Sequence, residues 1–179
     1  MSRPLLLGRG GDWPFAGHFR GRLGRVAWAG CVAVGDDLAA AWRVSRVVDG
    51  ALCRKGPPTA DRRRALSIMW ARLDGVVREV LGPGGGDDLA LLLTAEDDEG
   101  AAVSAVGIGA LYALFGGHAE PWVIAPHPLL GPPGLPARRP GAMTVDHLPD
   151  WVVAVEHGRS EDLDRVALDA LLGRCGVTQ

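Results

Sequence analysis

Lysine is nearly missing from this chain. Of the 19 basic side chains among its 179 residues, Lys55 is the only lysine and the others are arginine. With 21 Asp and Glu the formal net charge is −2, so no general field draws in a polyanion; neither nucleic acid nor an anionic membrane is expected as a partner. Abundant glycine and alanine accompany the arginine, a bias read as the mark of a GC-rich genome rather than of a binding requirement. Cysteine is scarce as well. Cys31, Cys53 and Cys175 are odd in number, far apart and in no Cys-x-x-Cys spacing, which indicates neither a zinc site nor a disulfide framework. Reduced and mostly buried thiols are expected. Long apolar runs are also lacking near the start, where Leu5-Leu6-Leu7 gives way to glycine and arginine; that is too short for a signal-peptide core or a membrane span. A cytoplasmic chain is the expectation.

Hydrophobic residues make up 47% of the sequence and charged residues 22%, the balance of a globular chain with one ordinary core. Residues 1–24, rich in Gly and Arg around Trp13-Pro14-Phe15, show no sustained period and read as an irregular N-terminal arm or edge segment. Residues 25–179 read as one domain. Arg25 to Val34 is a buried strand, after which Gly35-Asp36-Asp37 supplies a turn and a helix N-cap. The spacing of Leu38, Ala41, Trp42, Ser45, Val48 and Leu52 predicts a helix with those residues inward. Gly56-Pro57-Pro58 breaks it. Thr59 then caps the clearest helix, whose inward stripe is Leu66, Met69, Trp70, Leu73, Val76, Val77 and Val80.

Beyond Gly82 to Gly86, the run Leu89 to Ala95 predicts a central strand, Glu96-Asp97-Asp98-Glu99-Gly100 a solvated acidic turn, and Ala101 to Leu114 the returning strand. Pro121 to Ala125 follows as the third strand of a meander. A Pro/Gly-rich loop spans 131–141, Trp151 to Val155 is a last strand, and Ser160 caps a last helix ending at Gly173. The expected class is therefore α+β, with mainly antiparallel sheet layers covered by helices.

Some residue types invite chemistry. Asp36-Asp37 and Asp87-Asp88 follow glycine near element ends, where a hard cation can bind, although turn and cap duty is the simpler use of such pairs. His118, His127, His147 and His157 have no ligand spacing and read as structural or exposed. Ser45 and Ser104 lack the Gly-x-Ser-x-Gly setting of an esterase nucleophile. Gly84-Gly85-Gly86 lacks the Lys and Ser/Thr of a P-loop and precedes a strand. Five of the six tryptophans, Trp28, Trp42, Trp70, Trp122 and Trp151, are assigned to core packing. Trp13 is left as a candidate exposed anchor.

Three segments in order carry a resemblance: Gly86-Asp87-Asp88-Leu89, then Val106-Gly107-Ile108-Gly109-Ala110-Leu111-Tyr112, then Ile124-Ala125-Pro126-His127-Pro128-Leu129. Their layout resembles the PP2C-type metal-dependent serine/threonine phosphatases, in which Gly-Thr-Thr, Gly-Asp-Ser-x-x-Tyr and Thr-x-Asp-His-Ser-Leu follow in that sequence. Asp150-Trp151-Val152-Val153-Ala154-Val155-Glu156-His157-Gly158 resembles the family's strand ending in Ser-Asp-Gly, and Ala41 to Val48 its Ala-Ser helix. The resemblance covers roughly residues 25–158 and implies a shortened form of that fold.

The departures are chemical. Ile108 stands where the family has an acid, no Arg-x-x-x-Asn-Glu-Asp occurs in residues 1–24, and the acid of Ser-Asp-Gly is at best Glu156. The resemblance thus implies a pseudophosphatase without catalytic residues or cofactor, which binds another protein such as a kinase or phosphoprotein. The expected partner surface combines Trp13, Phe15, Arg20 and Arg22 with Arg138 and Arg139, whose guanidinium groups suit carboxylate or phosphate. The alternative is a divergent phosphoester hydrolase holding Mg or Mn through Asp36, Asp37, Asp87, Asp88 and Glu156. A third reading is an unrelated α+β subunit of a larger assembly. The oligomeric state is not legible.

Overall fold

The computed structural model describes residues 3–7, 17–35, 37–53, 59–81, 89–115, 118–122, 143–146, 149–156 and 173. Nine strands and two helices occur among them: β1 Arg3–Leu7, β2 Gly17–Leu23, β3 Val26–Val34, α1 Leu38–Leu52, α2 Arg62–Leu81, β4 Leu89–Asp97, β5 Gly100–Val106, β6 Ile108–Phe115, β7 His118–Trp122, β8 Met143–Val145 and β9 Trp151–Glu156. They form a five-stranded sheet in the order β2-β3-β4-β5-β8 and a four-stranded sheet in the order β1-β9-β6-β7. Only the β1–β9 pairing is parallel among the described strands. The architecture is α+β with antiparallel sheets.

The five-stranded sheet is covered on both faces, and the alternation of side chains along its strands shows how. On one face Trp28, Val32 and Val34 of β3 and Leu89, Leu91 and Leu93 of β4 pack with Val44 and Val48 of α1 and Leu66, Met69, Trp70 and Leu73 of α2. On the other, Cys31 and Ala33 of β3, Ala90 and Leu92 of β4 and Val103 and Ala105 of β5 meet Ile108 and Leu111 of β6 and Val152 and Ala154 of β9. The layers run helices, sheet, sheet. A strand buried on both faces has no polar side to show, which is why the run from Leu89 is continuously apolar.

Two glycines make room for aromatics on the helix-covered face. Gly21 lies opposite Trp28 and Gly30 opposite Phe19 in the β2–β3 pair, and a Cβ at either would run into the facing ring. The two rings are diagonal neighbours with centroids 6.3 Å apart and tilted by 50°, a favourable aromatic geometry.

Helix α1 starts at Asp37, whose carboxylate accepts the Ala40 N–H at 2.9 Å. Its last carbonyls are met from α2, where Arg72 Nη1 donates to Leu52 O at 3.1 Å. Helix α2 is capped by Asp61 rather than by the expected Thr59: the Arg63 and Arg64 N–H groups donate to Asp61 Oδ1 at 2.8 and 3.3 Å. Thr59 instead accepts the Asp61 N–H at 3.2 Å, a local turn one step earlier.

Other expectations are corrected. Residues 3–7 and 17–23, read as an irregular arm or edge, form strands β1 and β2 at the edges of the two sheets. β1 is only five residues long, and β2 is broken up by Gly and Arg, so neither carries a sustained period. The expected three-stranded meander divides between the sheets: the segment read as one strand breaks at Gly107, with β5 in the five-stranded sheet and β6 in the other. Gly107 adopts φ 68°, and a Cβ there would press on the Leu89 carbonyl. Strand β7 starts at His118, three residues before the expected Pro121, and β8 was not expected at all. The loop 131–141, the Gly84-Gly85-Gly86 turn and the helix after Ser160 lie outside the described residues.

Gly107→Ala is expected to lower unfolding stability by about 1–2 kcal/mol from the left-handed backbone alone, with the Leu89 overlap adding to it. Gly50→Ala is the control: it meets nothing within 4 Å in α1 and should raise stability by about 0.5–1 kcal/mol. Urea midpoints of the two variants should move in opposite directions.

Candidate functional site

Strand ends gather at one end of the two-sheet sandwich. Val34, the last residue of β3, is the register partner of Leu89, the first of β4. Gly107 abuts the Leu89 backbone at the β5–β6 joint, and Ile108 faces Glu156, the last residue of β9. Asp37 stands three residues beyond Val34 and donates its backbone N–H to Val34 O at 3.0 Å.

Those ends carry few free carboxylates in the described set. The Asp37 carboxylate is engaged as the α1 cap. Ile108 is buried and belongs to the apolar cluster between the sheets. Glu156 is placed by its backbone alone, while Asp36, Asp87 and Asp88 lie outside the described residues. Among the described residues no three His, Cys, Asp or Glu side chains come together in a metal-binding group. His127, His147 and His157 also fall outside them.

The acidic tetrad Glu96-Asp97-Asp98-Glu99 at the end of β4 differs from the solvated tip expected of it. Glu96 is a buried residue of β4, and Asp97 joins three elements. Asp97 Oδ1 receives Arg62 Nη1 at 2.8 Å and the Glu99 N–H at 2.9 Å, and Asp97 Oδ2 receives the Arg62 N–H at 3.3 Å. One carboxylate thus closes the two-residue Asp98-Glu99 turn and holds the first amide of α2. Arg63 Nη2 extends the tie to β8 through Thr144 Oγ1 at 2.7 Å. Asp98 and Glu99 are the exposed tip in the expected sense, with Glu99 87% exposed and 3.6 Å from Arg62 Nη1. This cluster docks a helix on a hairpin. Ser104 is structural as well: its buried hydroxyl receives the Trp70 indole N–H at 2.9 Å.

No family model, curated protein or solved structure matches the chain. Function must therefore be argued from surface chemistry.

Of the expected partner-binding residues, Arg20 and Arg22 are exposed on edge strand β2, with Arg22 Nη2 donating to Arg25 O at 3.4 Å. Trp13, Phe15, Arg138 and Arg139 lie outside the described residues. The surface feature that sequence reasoning missed is on α1. Trp42, expected on the inner face, is 62% exposed, and Leu38 one turn earlier is 49% exposed. The buried residues of α1 are Ala40, Ala41, Val44, Ser45, Val48, Ala51 and Leu52. Trp42 is displaced by two residues, about 200° of rotation, from both Ala40 and Val44, so the arc that buries them turns it outward. Small inward residues also leave no slot for an indole where α1 lies on β2 and β3. The signal was present: α1 has two overlapping apolar arcs, and only one can face the sheet.

The Arg46 guanidinium lies 5.5 Å from the centroid of the Trp42 ring, a cation–π contact worth about 0.5–1 kcal/mol when exposed. Arg43, beside Trp42 in sequence, is exposed too. Among the described helices none is long and apolar enough to cross a membrane.

Asp97→Ala is expected to destabilise the fold by about 3 kcal/mol, because it strands a largely buried guanidinium, while Asp98→Ala on the exposed turn should leave the denaturation midpoint within error. The thiols give a second check. Burial drives the Cys31 pKa far above its ordinary value, whereas the raised Cys53 pKa comes from partial burial and then from Asp49, whose Oδ1 accepts the thiol at 3.6 Å. Maleimide labelling of the native chain should spare Cys31. Cys53 should react slowly at neutral pH and faster in Asp49→Asn, since removing the carboxylate increases the thiolate fraction.

Proposed function

We propose that this chain is a catalytically silent, PP2C-like module that works by binding another protein, with a kinase or a phosphoprotein as the partner class. The observation that carries this reading is the exposed Trp42, bordered by Leu38, Arg43 and Arg46 on a helix that buries Val44, Val48 and Leu52. Tryptophan and arginine are the side chains most enriched at the energetic centres of protein interfaces.

Two further observations support the silent half of the reading. Ile108, at the position where the resemblance calls for an acid, is packed between the sheets, and the Asp37 carboxylate is spent on a helix cap. A two-metal phosphatase needs hard oxygen ligands converging on its cations, and an aliphatic side chain in their midst supplies none.

One observation favours a second reading, a divergent metal-dependent phosphoester hydrolase. The ends of β3, β4 and β9, next to which Asp36, Asp87, Asp88 and Glu156 stand in sequence, gather at one end of the sandwich. A hydrolase would use those acids to hold Mg or Mn and generate the attacking hydroxide.

Isothermal titration calorimetry of Mn²⁺ into metal-free protein, with hydrolysis of p-nitrophenyl phosphate followed in parallel, separates the two. The interaction module is expected to show neither saturable metal binding nor turnover. Saturable binding with turnover, both abolished in Asp36→Ala/Asp87→Ala, would establish the hydrolase instead.

A further inference from the structure

The outer face of α1 has a chemistry specific enough to name what covers it. Leu38 and Trp42 are one turn apart, at the i and i+4 positions that share a helix face. They are the large hydrophobic residues exposed among the described part of the chain. Arg46, one further turn along, lies over the Trp42 ring, and Arg43 is exposed beside it. Two apolar side chains are thus bordered by two guanidinium groups within about three turns of helix.

Around Trp42 the charge of this face is basic among the described residues, and its exposed acid, Asp49, lies two turns further on. Asp37, the described acid at its start, turns its carboxylate to the Ala40 N–H. Asp49 sits seven residues beyond Trp42, about 10 Å along the axis, and its Oδ1 accepts the Cys53 thiol. The helix N-terminus adds partial positive charge at the Leu38 end. Carboxylates complement such a rim, and an apolar side chain complements its centre.

We propose that the Leu38–Trp42–Arg43–Arg46 face of α1 docks a short acidic peptide segment of another protein, with one large apolar side chain seated on Trp42 and carboxylates paired with the two arginines. The proposal rests on the interaction-module reading and adds the partner's chemistry to it. Nucleic acid fits less well. The net charge of −2 supplies no supporting field, and phosphates leave Leu38 uncovered. The β2 arginines Arg20 and Arg22 are separate from this face: they alternate along the strand with Phe19 and Leu23, which pack toward α1.

The test is selection of short random peptides, displayed on phage, against the full chain, followed by fluorescence titration of synthetic versions of the winners. Enrichment of Asp and Glu around a Leu, Phe or Trp is expected. Trp42→Ala should weaken these peptides by about tenfold or more. Arg43→Glu/Arg46→Glu should weaken them similarly and restore binding to peptides whose acids are replaced by lysine, a charge swap that a folding defect does not mimic. Both variants alter exposed positions, and their circular dichroism should match the parent.

Peptides that bind but ignore Trp42→Ala would overturn the assignment of this face and leave the interaction-module reading standing. Peptides that need Trp42 but carry no acidic residues would overturn the partner chemistry alone. No enrichment would overturn both. Self-association of the parent in sedimentation equilibrium, lost in Trp42→Ala, would make a second copy the occupant and overturn the peptide proposal.

Discussion

Burial of the five-stranded sheet on both faces is the constraint from which the other features follow. β3 and β4 pair over eight residues, from Ala27↔Glu96 to Val34↔Leu89, and each presents one set of side chains to the helices and the other to the second sheet. The two faces are not alike. Toward the helices stand Trp28, Leu89, Leu91 and Leu93, large enough to fill the uneven surface that two helices leave. Toward the second sheet stand Leu92 and Val103 among the smaller Cys31, Ala33, Ala90 and Ala105, a set suited to the flatter contact between sheets. Polar groups inside this double burial are paired across it. Thr94 Oγ1 donates to Ala29 O at 3.2 Å, and Ser104 receives the Trp70 indole.

That constraint determines how the chain must cross between layers. Having paired β5 with β4, the backbone reaches the other sheet through a single residue, Gly107, pressed against the Leu89 carbonyl. A link of one residue between two sheets leaves no slack. It also delivers Ile108 directly into the apolar layer, so the joint is built on a hydrophobic residue. Both helices lie on the opposite side of the five-stranded sheet, and their attachment is polar and local: Asp37 and Asp61 at the starts, Asp97 and Arg72 as cross-ties. Hydrophobic burial supplies the attraction, and these bonds set where along the sheet each helix begins.

What the sequence made legible follows from how strongly each segment repeats its pattern. β3, β4, β9 and the α2 stripe through Leu66, Met69, Trp70 and Leu73 were all readable, because their apolar residues are numerous and clustered in the core. The Asp37 cap was readable from Gly-Asp-Asp before an apolar-periodic run. Edge strands were not: β8 has three half-buried residues, β1 is five residues with a proline second, and β2 is interrupted by Arg and Gly. The break at Gly107 was hidden because both halves of the segment are apolar, and hydrophobicity alone does not say which sheet a residue enters. Asp97 was misread because an acid in a turn resembles a solvated one until its partner, 35 residues earlier in sequence, is known. For the site, sequence singled out acids and a Trp-Arg arm, whereas the described surface singles out Trp42. The difference lies in helix rotation, which composition does not specify.

The rotation of α1 is itself a physical choice with a functional edge. With Trp42 inward, the helix would bury an indole and expose Val44 and Val48; with Trp42 outward, three alanines, two valines and Leu52 lie against the sheet and α2. The second arrangement permits close approach of the helix axis and buries Val44 and Val48 completely. It leaves about two-thirds of a tryptophan's surface in water, a cost of the order of 1 kcal/mol or more by area. Arg46 recovers part of that by covering the ring, without making it less available to a partner, because a guanidinium over an indole stays hydrated and moves aside at small cost. A helix that packs well inward while holding an aromatic and two arginines outward meets two demands at once: the core selects one arc, and the remaining arc is free to serve recognition.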